Sequence, residues 1–328
     1  MNQLVETVHD VLIVGLGRIG MEYDLQHDPD QYALTHARAF QHHPSFRLVG
    51  GVDLDAGQRD LFQDEYRCTV FSDLHAAVAA TNPSVVVVAT PTDTHCSTVQ
   101  AILAAGKPVA ILCEKPISFD PVEAHALVRL CKDKSCALYV NYMRRSDVGV
   151  DEVLQRLQDG RIALPVKGVV WYSKGLFNSA SHFVNLLQYL LGDVESVRVL
   201  DKGRLLDGKD PEPDFEIQFA GGKIQFVSLR VEDYFHNSME LMAANGRLRY
   251  ERGGQQVTWE CTVANPVFSG YTTLGTESEL LQSDFFRVQW HVVDQLAASL
   301  AGKPARICSG NEALLTLNIL AQINKDCS

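Results

Sequence analysis

Four short apolar runs punctuate the first third of the chain: Val11 to Val14, Phe46 to Val52 (broken by Arg47 and two glycines), Val85 to Ala89 and Val109 to Cys113. Runs that stay apolar at consecutive positions, rather than alternate ones, mark strands covered by helices on both faces of a parallel sheet. Helix-like segments separate them, at Ala37 to His42, Gly57 to Glu65, Leu74 to Ala80 and Thr94 to Ala105. This alternation predicts an α/β, doubly wound parallel sheet with right-handed crossovers. A further helix is predicted from Asp120 to about Lys132, with Asp120 as N-cap, Pro121 at the first helical position and Glu123 completing a capping box. Ala137 to Asn141 gives one more strand, and the first domain, residues 1–143, closes there.

Residues 144–328 follow a different pattern and predict a second, α+β domain. FEIQFAGGKIQFVSL alternates apolar and polar positions on both sides of Gly221-Gly222, a two-residue hairpin signal. Asn245-Gly246 and Gly253-Gly254 repeat it, so three successive turns predict an antiparallel meander with one exposed face. Helices are expected at Asp147 to Gln158, at Ser181 to Leu191 (stopped by Gly192), and as a final pair at Phe285 to Leu300 and Asn311 to Asn324. The last of these can pack back on the first domain.

Composition narrows the function. Among 328 residues, 29 Lys plus Arg stand against 40 Asp plus Glu, a net charge of −11 with no basic block. Nucleic acid and anionic lipid surfaces are therefore not expected partners. No apolar stretch approaches the ~20 residues that span a bilayer. The first ten residues lack a basic region before an apolar run, which argues against a secretory signal and for a cytoplasmic location. The eight cysteines form no C-x-x-C pair, and several sit inside apolar runs, as reduced buried thiols do. No zinc-spaced Cys/His cluster and no Walker A loop occurs, so no metal is expected.

Directly after the first strand, Gly15-Leu16-Gly17-Arg18-Ile19-Gly20 forms G-x-G-x-x-G. Its glycines permit a tight turn and a close approach of backbone to a pyrophosphate, so Gly15, Gly17, Arg18, Ile19 and Gly20 are expected to hold a dinucleotide. Asp53 ends the second strand and is expected to bind the adenosine ribose hydroxyls. It lies 33 residues beyond Gly20, where about 20 is usual. An insertion near Met21 to Tyr32 must therefore be looped out. A carboxylate at this position repels a 2′-phosphate, which favours NAD over NADP. Thr90, Pro91, Thr92 and His95 follow the third buried run at the sheet's carboxyl edge, where ligands of this fold bind. Thr92 serves there either as helix cap or as cofactor contact. Glu114 and Lys115 follow the fourth run; a lysine there either meets solvent or donates a hydrogen bond to a reacting oxygen.

GLGRIG, AT-PT-x-x-H, AGKPVAILCEKPIS and VNYMRR, in that order, are together similar to the family of glucose-fructose oxidoreductase, inositol dehydrogenase and MocA-like (Gfo/Idh/MocA) oxidoreductases. The likeness is strongest over residues 11–145. It implies an N-terminal Rossmann domain binding NAD(P) and a C-terminal domain built on a large, open, mainly antiparallel sheet. That sheet would form the interface of a homodimer or homotetramer. The resemblance also implies a sugar-like substrate held between the domains, with Lys115 touching the reacting oxygen and the nicotinamide ribose and with Glu114 and Pro116 shaping its loop. The family's second motif, often H-x-x-D, corresponds here to His182-Phe183-Val184-Asn185. His182, Asn185 and Tyr189 share one helical face. Asn185 cannot accept a proton at neutral pH, so proton transfer falls to His182 and Asn185 orients a substrate hydroxyl. Tyr172, Lys174 and Asn178 on the approach to this helix are further substrate-binding candidates. Arg145 either binds an anionic group or forms a structural ion pair.

These readings converge on an NAD(H)-dependent oxidoreductase acting on a sugar, amino sugar or cyclitol derivative, with a place in bacterial surface-sugar metabolism. The alternatives are an NADP(H)-dependent reductase of keto-sugars or nucleotide-sugars, and an inactive dinucleotide-binding sensor or scaffold. The Tyr-x-x-x-Lys of short-chain reductases does not occur.

Overall fold

A computed structural model of the chain describes residues 8–327. It divides into two compact units: the chain up to Ser146 with Phe286–Leu317, and Asp147–Phe285 with the residues from Asn318 onward. The first unit is built on six parallel strands, β1 (His9–Val14), β2 (Phe46–Val52), β3 (Thr69–Phe71), β4 (Val85–Val88), β5 (Ala110–Cys113) and β6 (Ala137–Val140), in the order β3-β2-β1-β4-β5-β6. Every residue of β4 and β5 is buried. Helices α1 (His36–His42), α2 (Ala56–Tyr66), α3 (Leu74–Thr81), α4 (His95–Ala105) and α5 (Pro121–Asp133) make the connections. Asp55, Asp73 and Asp120 cap α2, α3 and α5 by accepting the N–H groups of Gln58, Ala76 and Val122. The expected capping box at α5 does not close. Glu123 accepts the Ser118 hydroxyl instead, and Ser118 takes the Asp120 N–H.

The insertion foreseen after Gly20 is built into a helix. The His36 N–H bonds the Ile19 carbonyl at 3.1 Å, and the Ala37 N–H bonds Gly20 at 2.9 Å. These are the i→i−4 partners that would result if Leu34 followed Gly20 directly. Residues 21–33 therefore leave and rejoin one helical ladder, and removing those 13 from the separation between Gly20 and Asp53 leaves 20. At the splice, the carbonyls of Gly17 and Arg18 are taken by Met21, Glu22 and Tyr23. The N–H groups of Leu34 and Thr35 turn instead to the Asp24 carboxylate, at 2.6 and 3.0 Å. Fully buried Asp24 also accepts the Thr35 hydroxyl and faces the Arg38 guanidinium.

The second unit begins with α6 (Val148–Gln158) and β7 (Val166–Ser173), continues through a π-helical turn Leu176–Ala180 into α7 (Ser181–Leu191), and reaches β8 (Val194–Asp201). A small ribbon, β9 (Leu205–Leu206) and β10 (Asp210–Pro211), precedes β11 (Asp214–Phe219), β12 (Gly222–Leu229), β13 (Ser238–Ala243), β14 (Gly246–Glu251), β15 (Gln256–Ala264), β16 (Thr272–Leu274) and β17 (Glu279–Leu281). The main sheet runs β16-β15-β14-β13-β7-β12-β11-β8, with β17 on β15.

It is not the simple meander expected. β7 lies between β12 and β13 and pairs with β12 in parallel. The first two turns fall one residue earlier than read, at Ala220-Gly221 and Ala244-Asn245, because Phe219 pairs with Gly222 and Ala243 with Gly246. Packing explains the misplaced glycines. A Cβ on Gly222 would stand 2.3 Å from the Val166 carbonyl oxygen, and one on Gly246 would stand 2.3 Å from the Trp259 ring. Both are strand residues that need closeness rather than turn residues that need freedom. One face of the sheet carries the core, where Phe215 and Phe226 stack at 4.4 Å.

Two helices complete the chain, α8 (Val288–Leu300) and α9 (Gly310–Cys327). Val292, Val293 and Leu296 of α8 join the cluster that holds Val11, Ile13 and Phe40. The last helix, expected to be able to return to the first domain, does so only in its first part and together with α8: residues 286–317 belong to the first unit, whose earlier segment ends at Ser146 and not at residue 143. No helix among the described residues is long and apolar enough to cross a membrane.

Asp24→Ala removes the group that terminates the splice. It should cost about 3 kcal/mol through the buried N–H groups and guanidinium left behind. In a thermal melt the first unit should lose roughly 6–12 °C; an unchanged midpoint would show that Asp24 does not hold the splice.

Candidate active site

Three strands bring the nucleotide edge together. Val14 of β1 pairs with Val88 of β4, and Val88 with Cys113 of β5, so Gly15, Ala89 and Glu114 leave the sheet side by side. The ladder continues one step further, with the Ala89 N–H on Val14 and the Glu114 N–H on Val88. By strand spacing, Glu114 lies about 10 Å from Gly15 along this edge.

Each glycine of the turn has its own reason. Gly15 has φ +95°, and a Cβ on it would meet the Ala89 carbonyl at 2.6 Å; one on Gly20 would meet the Gly15 oxygen at 2.3 Å. A Cβ on Gly17 would meet nothing within 4 Å. Two glycines thus pack the turn, and the third opens the cradle that a pyrophosphate requires. Arg18 is exposed beside it and Ile19 half-buried. Asp53 is half-buried; one carboxylate oxygen accepts the Leu16 N–H of the turn at 2.8 Å and the other the Asp55 N–H at 2.9 Å. With about four acceptor positions on its two oxygens, it can also receive ribose hydroxyls.

Thr90 is half-buried at the end of β4 and Pro91 exposed. Thr92 does not cap the following helix: Pro91 occupies the cap position of a short 3₁₀ turn, Thr92–Thr94, and the Thr94 hydroxyl donates to the Pro91 carbonyl. His95 is buried, with Nδ1 2.8 Å from the Pro116 carbonyl and Nε2 2.8 Å from that of Thr90. Both ring nitrogens are thereby engaged. His95 braces the loops after β4 and β5 and presents no ring nitrogen to a ligand.

Glu114 is likewise a positioning group. One carboxylate oxygen accepts from His36 Nε2 at 2.8 Å and from Asn141 Nδ2 at 2.6 Å; the other faces the Lys115 N–H at 3.3 Å. Asn141 in turn bonds Gln289. Burial alone would raise the Glu114 carboxyl, but the His36 and Asn141 hydrogen bonds and the Lys115 charge hold it below the ordinary range. Its neighbour Lys115 is half-buried at the mouth of the edge. The patterns of helices and strands carried no sign of the His36–Glu114–Asn141 contact, since its members lie on three elements far apart in sequence. Arg145 is buried and paired with Glu312, the structural alternative. Burial raises the Glu312 carboxyl, but Arg145 outweighs it and leaves it below the ordinary range.

In the second unit, α7 carries His182 half-buried, Asn185 buried and Tyr189 half-buried, spaced for one face, while Phe183, Val184, Leu186 and Leu187 fill the core. Asp210 sets the entry to this helix by accepting the N–H groups of Phe177 and Asn178, both at 3.0 Å. Asn178 and Lys174 are exposed, Lys174 with φ 73°. Tyr172 is a correction. It points from β7 into the sheet core, fully buried, and donates its hydroxyl to the Pro213 carbonyl, while Trp171 takes the outer face. Burial raises its hydroxyl well above the ordinary value, and it is not placed to bind substrate. The thiols of Cys96 and Cys136 are pushed up by burial to about 12, far from a nucleophile's range. Among the described residues, no three His, Cys, Asp or Glu side chains gather as a metal site.

Residues 9–142 match the family described as "Oxidoreductase family, NAD-binding Rossmann fold", GFO_IDH_MocA. The chain is 29% identical to inositol 2-dehydrogenase of Rhizobium meliloti over 66% of its own length and 67% of that protein. It is 26% identical to D-apiose dehydrogenase of Paraburkholderia graminis, over 54% of its own length and about half (47%) of the relative's. Its fold is similar to that of UDP-N-acetylglucosamine 3-dehydrogenase from Acidithiobacillus ferrooxidans, with TM-score 0.73, 18% identity and 97% of each chain covered.

Glu114→Gln removes the charge and turns the oxygen that faces the Lys115 N–H into a second donor, and should destabilise the first unit by about 1–3 kcal/mol at pH 7. Because the folded carboxyl titrates lower than the unfolded one, its contribution is complete above the ordinary value near 4.5 and is lost as pH falls through the lowered folded value. Thermal melts of wild type and variant should therefore begin to converge as pH falls below 4.5. A gap that persists undiminished there would contradict the ionised state of Glu114.

Proposed function

As the chain belongs to the Gfo/Idh/MocA family of NAD-binding oxidoreductases, we propose that it is an NAD(H)-dependent dehydrogenase of a polyhydroxylated substrate, a cyclitol, sugar or nucleotide-linked sugar. The observation that carries this reading is the common edge on which the open Gly17 cradle and the braced Glu114-Lys115 loop stand two strands apart. The named relatives act on inositol, on D-apiose and on UDP-N-acetylglucosamine, all of which present vicinal hydroxyls.

Gly15, Gly17 and Gly20 would seat the pyrophosphate, and Asp53 the adenosine ribose. NAD, when bound, supplies the hydride acceptor. Lys115 donates a hydrogen bond to the substrate oxygen and stabilises the negative charge that grows on it as the C–H bond breaks. The Glu114 carboxylate fixes the backbone from which that lysine extends, so little reorganisation is required. His182 accepts the hydroxyl proton, and Asn185 and Tyr189 from the same helix orient neighbouring hydroxyls. Exposed Trp171 and Met242 on the outer face of the second unit's sheet support self-association of copies through that face, which analytical ultracentrifugation would report as a dimer or tetramer.

The test is steady-state turnover with myo-inositol, D-apiose and UDP-sugars, beside NADH fluorescence titration. Lys115→Ala should lower kcat about 10²–10³-fold, and His182→Gln about 10²–10⁴-fold with loss of the limb of the pH profile that reports the base. NADH should still bind both variants. Wild-type turnover by Lys115→Ala would end this assignment.

A further inference from the structure

The splice does more than lengthen the chain; it brings a third carboxylate beside Asp53 and Asp55 of the loop after β2. Glu22 stands where the inserted segment leaves the helix, its N–H still 3.4 Å from the Gly17 carbonyl. From there Glu22 Oε1 accepts Gln58 Nε2 at 2.6 Å. Gln58 lies in the first turn of α2, and its own N–H bonds Asp55 Oδ1 at 3.1 Å. The Asp55 N–H bonds Asp53, and Asp53 returns to the Gly-rich turn through Leu16. Glu22, Gln58, Asp55, Asp53 and Leu16 are thus linked in one hydrogen-bonded chain, with three carboxylates on it, that includes Asp53, the group expected to hold the adenosine ribose.

The partner of Glu22 is a neutral amide, so its charge is held in place without being cancelled. Arg59 is the cation on this turn, and its NH1 is committed to the Asp53 and Leu54 carbonyls, both at 2.9 Å. A ribose 2′ hydroxyl can donate to a carboxylate. A 2′-phosphate can only be repelled by one, and two carboxylates repel it more than Asp53 alone.

We infer that Glu22, delivered by the inserted segment, is a further determinant of cofactor choice, which acts with Asp53 to exclude NADP. The inference rests on the reading of the first unit as an NAD site. The full chain, as wild type, Glu22→Gln, Asp53→Asn and a control Glu65→Gln on the exposed side of α2, is titrated with NADH and with NADPH by nucleotide fluorescence. Glu22→Gln keeps the size of the side chain and should tighten NADPH binding roughly 3- to 10-fold, less at high salt, with NADH unchanged within about twofold. Glu65→Gln should change neither. The inference is overturned if Glu22→Gln leaves the ratio of the two affinities unchanged, weakens both nucleotides alike, or is matched by the control. Failure of the wild type to bind either dinucleotide would overturn the NAD reading and this inference with it, whereas an unchanged ratio overturns this inference alone.

Discussion

The Glu114 carboxylate sits where four elements of the first unit meet: its own strand end, His36 of α1, Asn141 just past β6 and, through Asn141, Gln289 of α8. Burying a charge there is costly unless each lone pair is answered. The elements that answer it are fixed by doing so. α1 is set against the sheet, the last parallel strand is set against α8, and the loop of Lys115 departs in a fixed direction. His95 performs the complementary service from below, tying the Thr90 and Pro116 carbonyls. A lysine held half-exposed between two such anchors needs no rigidity of its own.

The spliced helix shows how an ordinary fingerprint survives disruption. A helix interrupted by 13 residues would leave N–H groups unanswered at the point of return. Asp24 answers two of them, and Arg38 and the Thr35 hydroxyl close the site around the carboxylate. The nucleotide edge therefore keeps the spacing of an uninterrupted unit, and the excess chain is accommodated beside it.

What could be read beforehand follows from what is local. Three of the buried strands declare themselves as continuous apolar runs and β2 as a run broken by Arg47 and two glycines, while α5 is announced by Asp120 and Pro121 at its start. The Gly-rich turn and Asp53 were legible as a pair once the excess residues were assigned to an insertion. The hairpin glycines misled by one residue, because a glycine needed for close packing looks the same in sequence as one needed for a turn. β7 could not be placed between β12 and β13 from pattern alone, since its partners are set by the crossover. Tyr172 was misjudged for a related reason: the alternation of β7 puts Trp171 outward and Tyr172 inward, and only the core beneath tells which face is which. The Glu114, His95 and Asp24 contacts were invisible because each joins residues with no periodic relation.

Because Gly20 and Leu34 follow each other in one helical ladder, the segment between them begins and ends at the same point in space. Closing a 13-residue loop costs about 2 kcal/mol, and doubling its length only about 0.6 kcal/mol more. The stretch is in effect a graft with a sealed base. As long as Asp24 is kept at its base, it can grow, shrink or be exchanged while the sheet, the glycine turn and the lysine loop keep their places. In such an arrangement the nucleotide edge can be remodelled by whole segments at little expense to the fold that supports it.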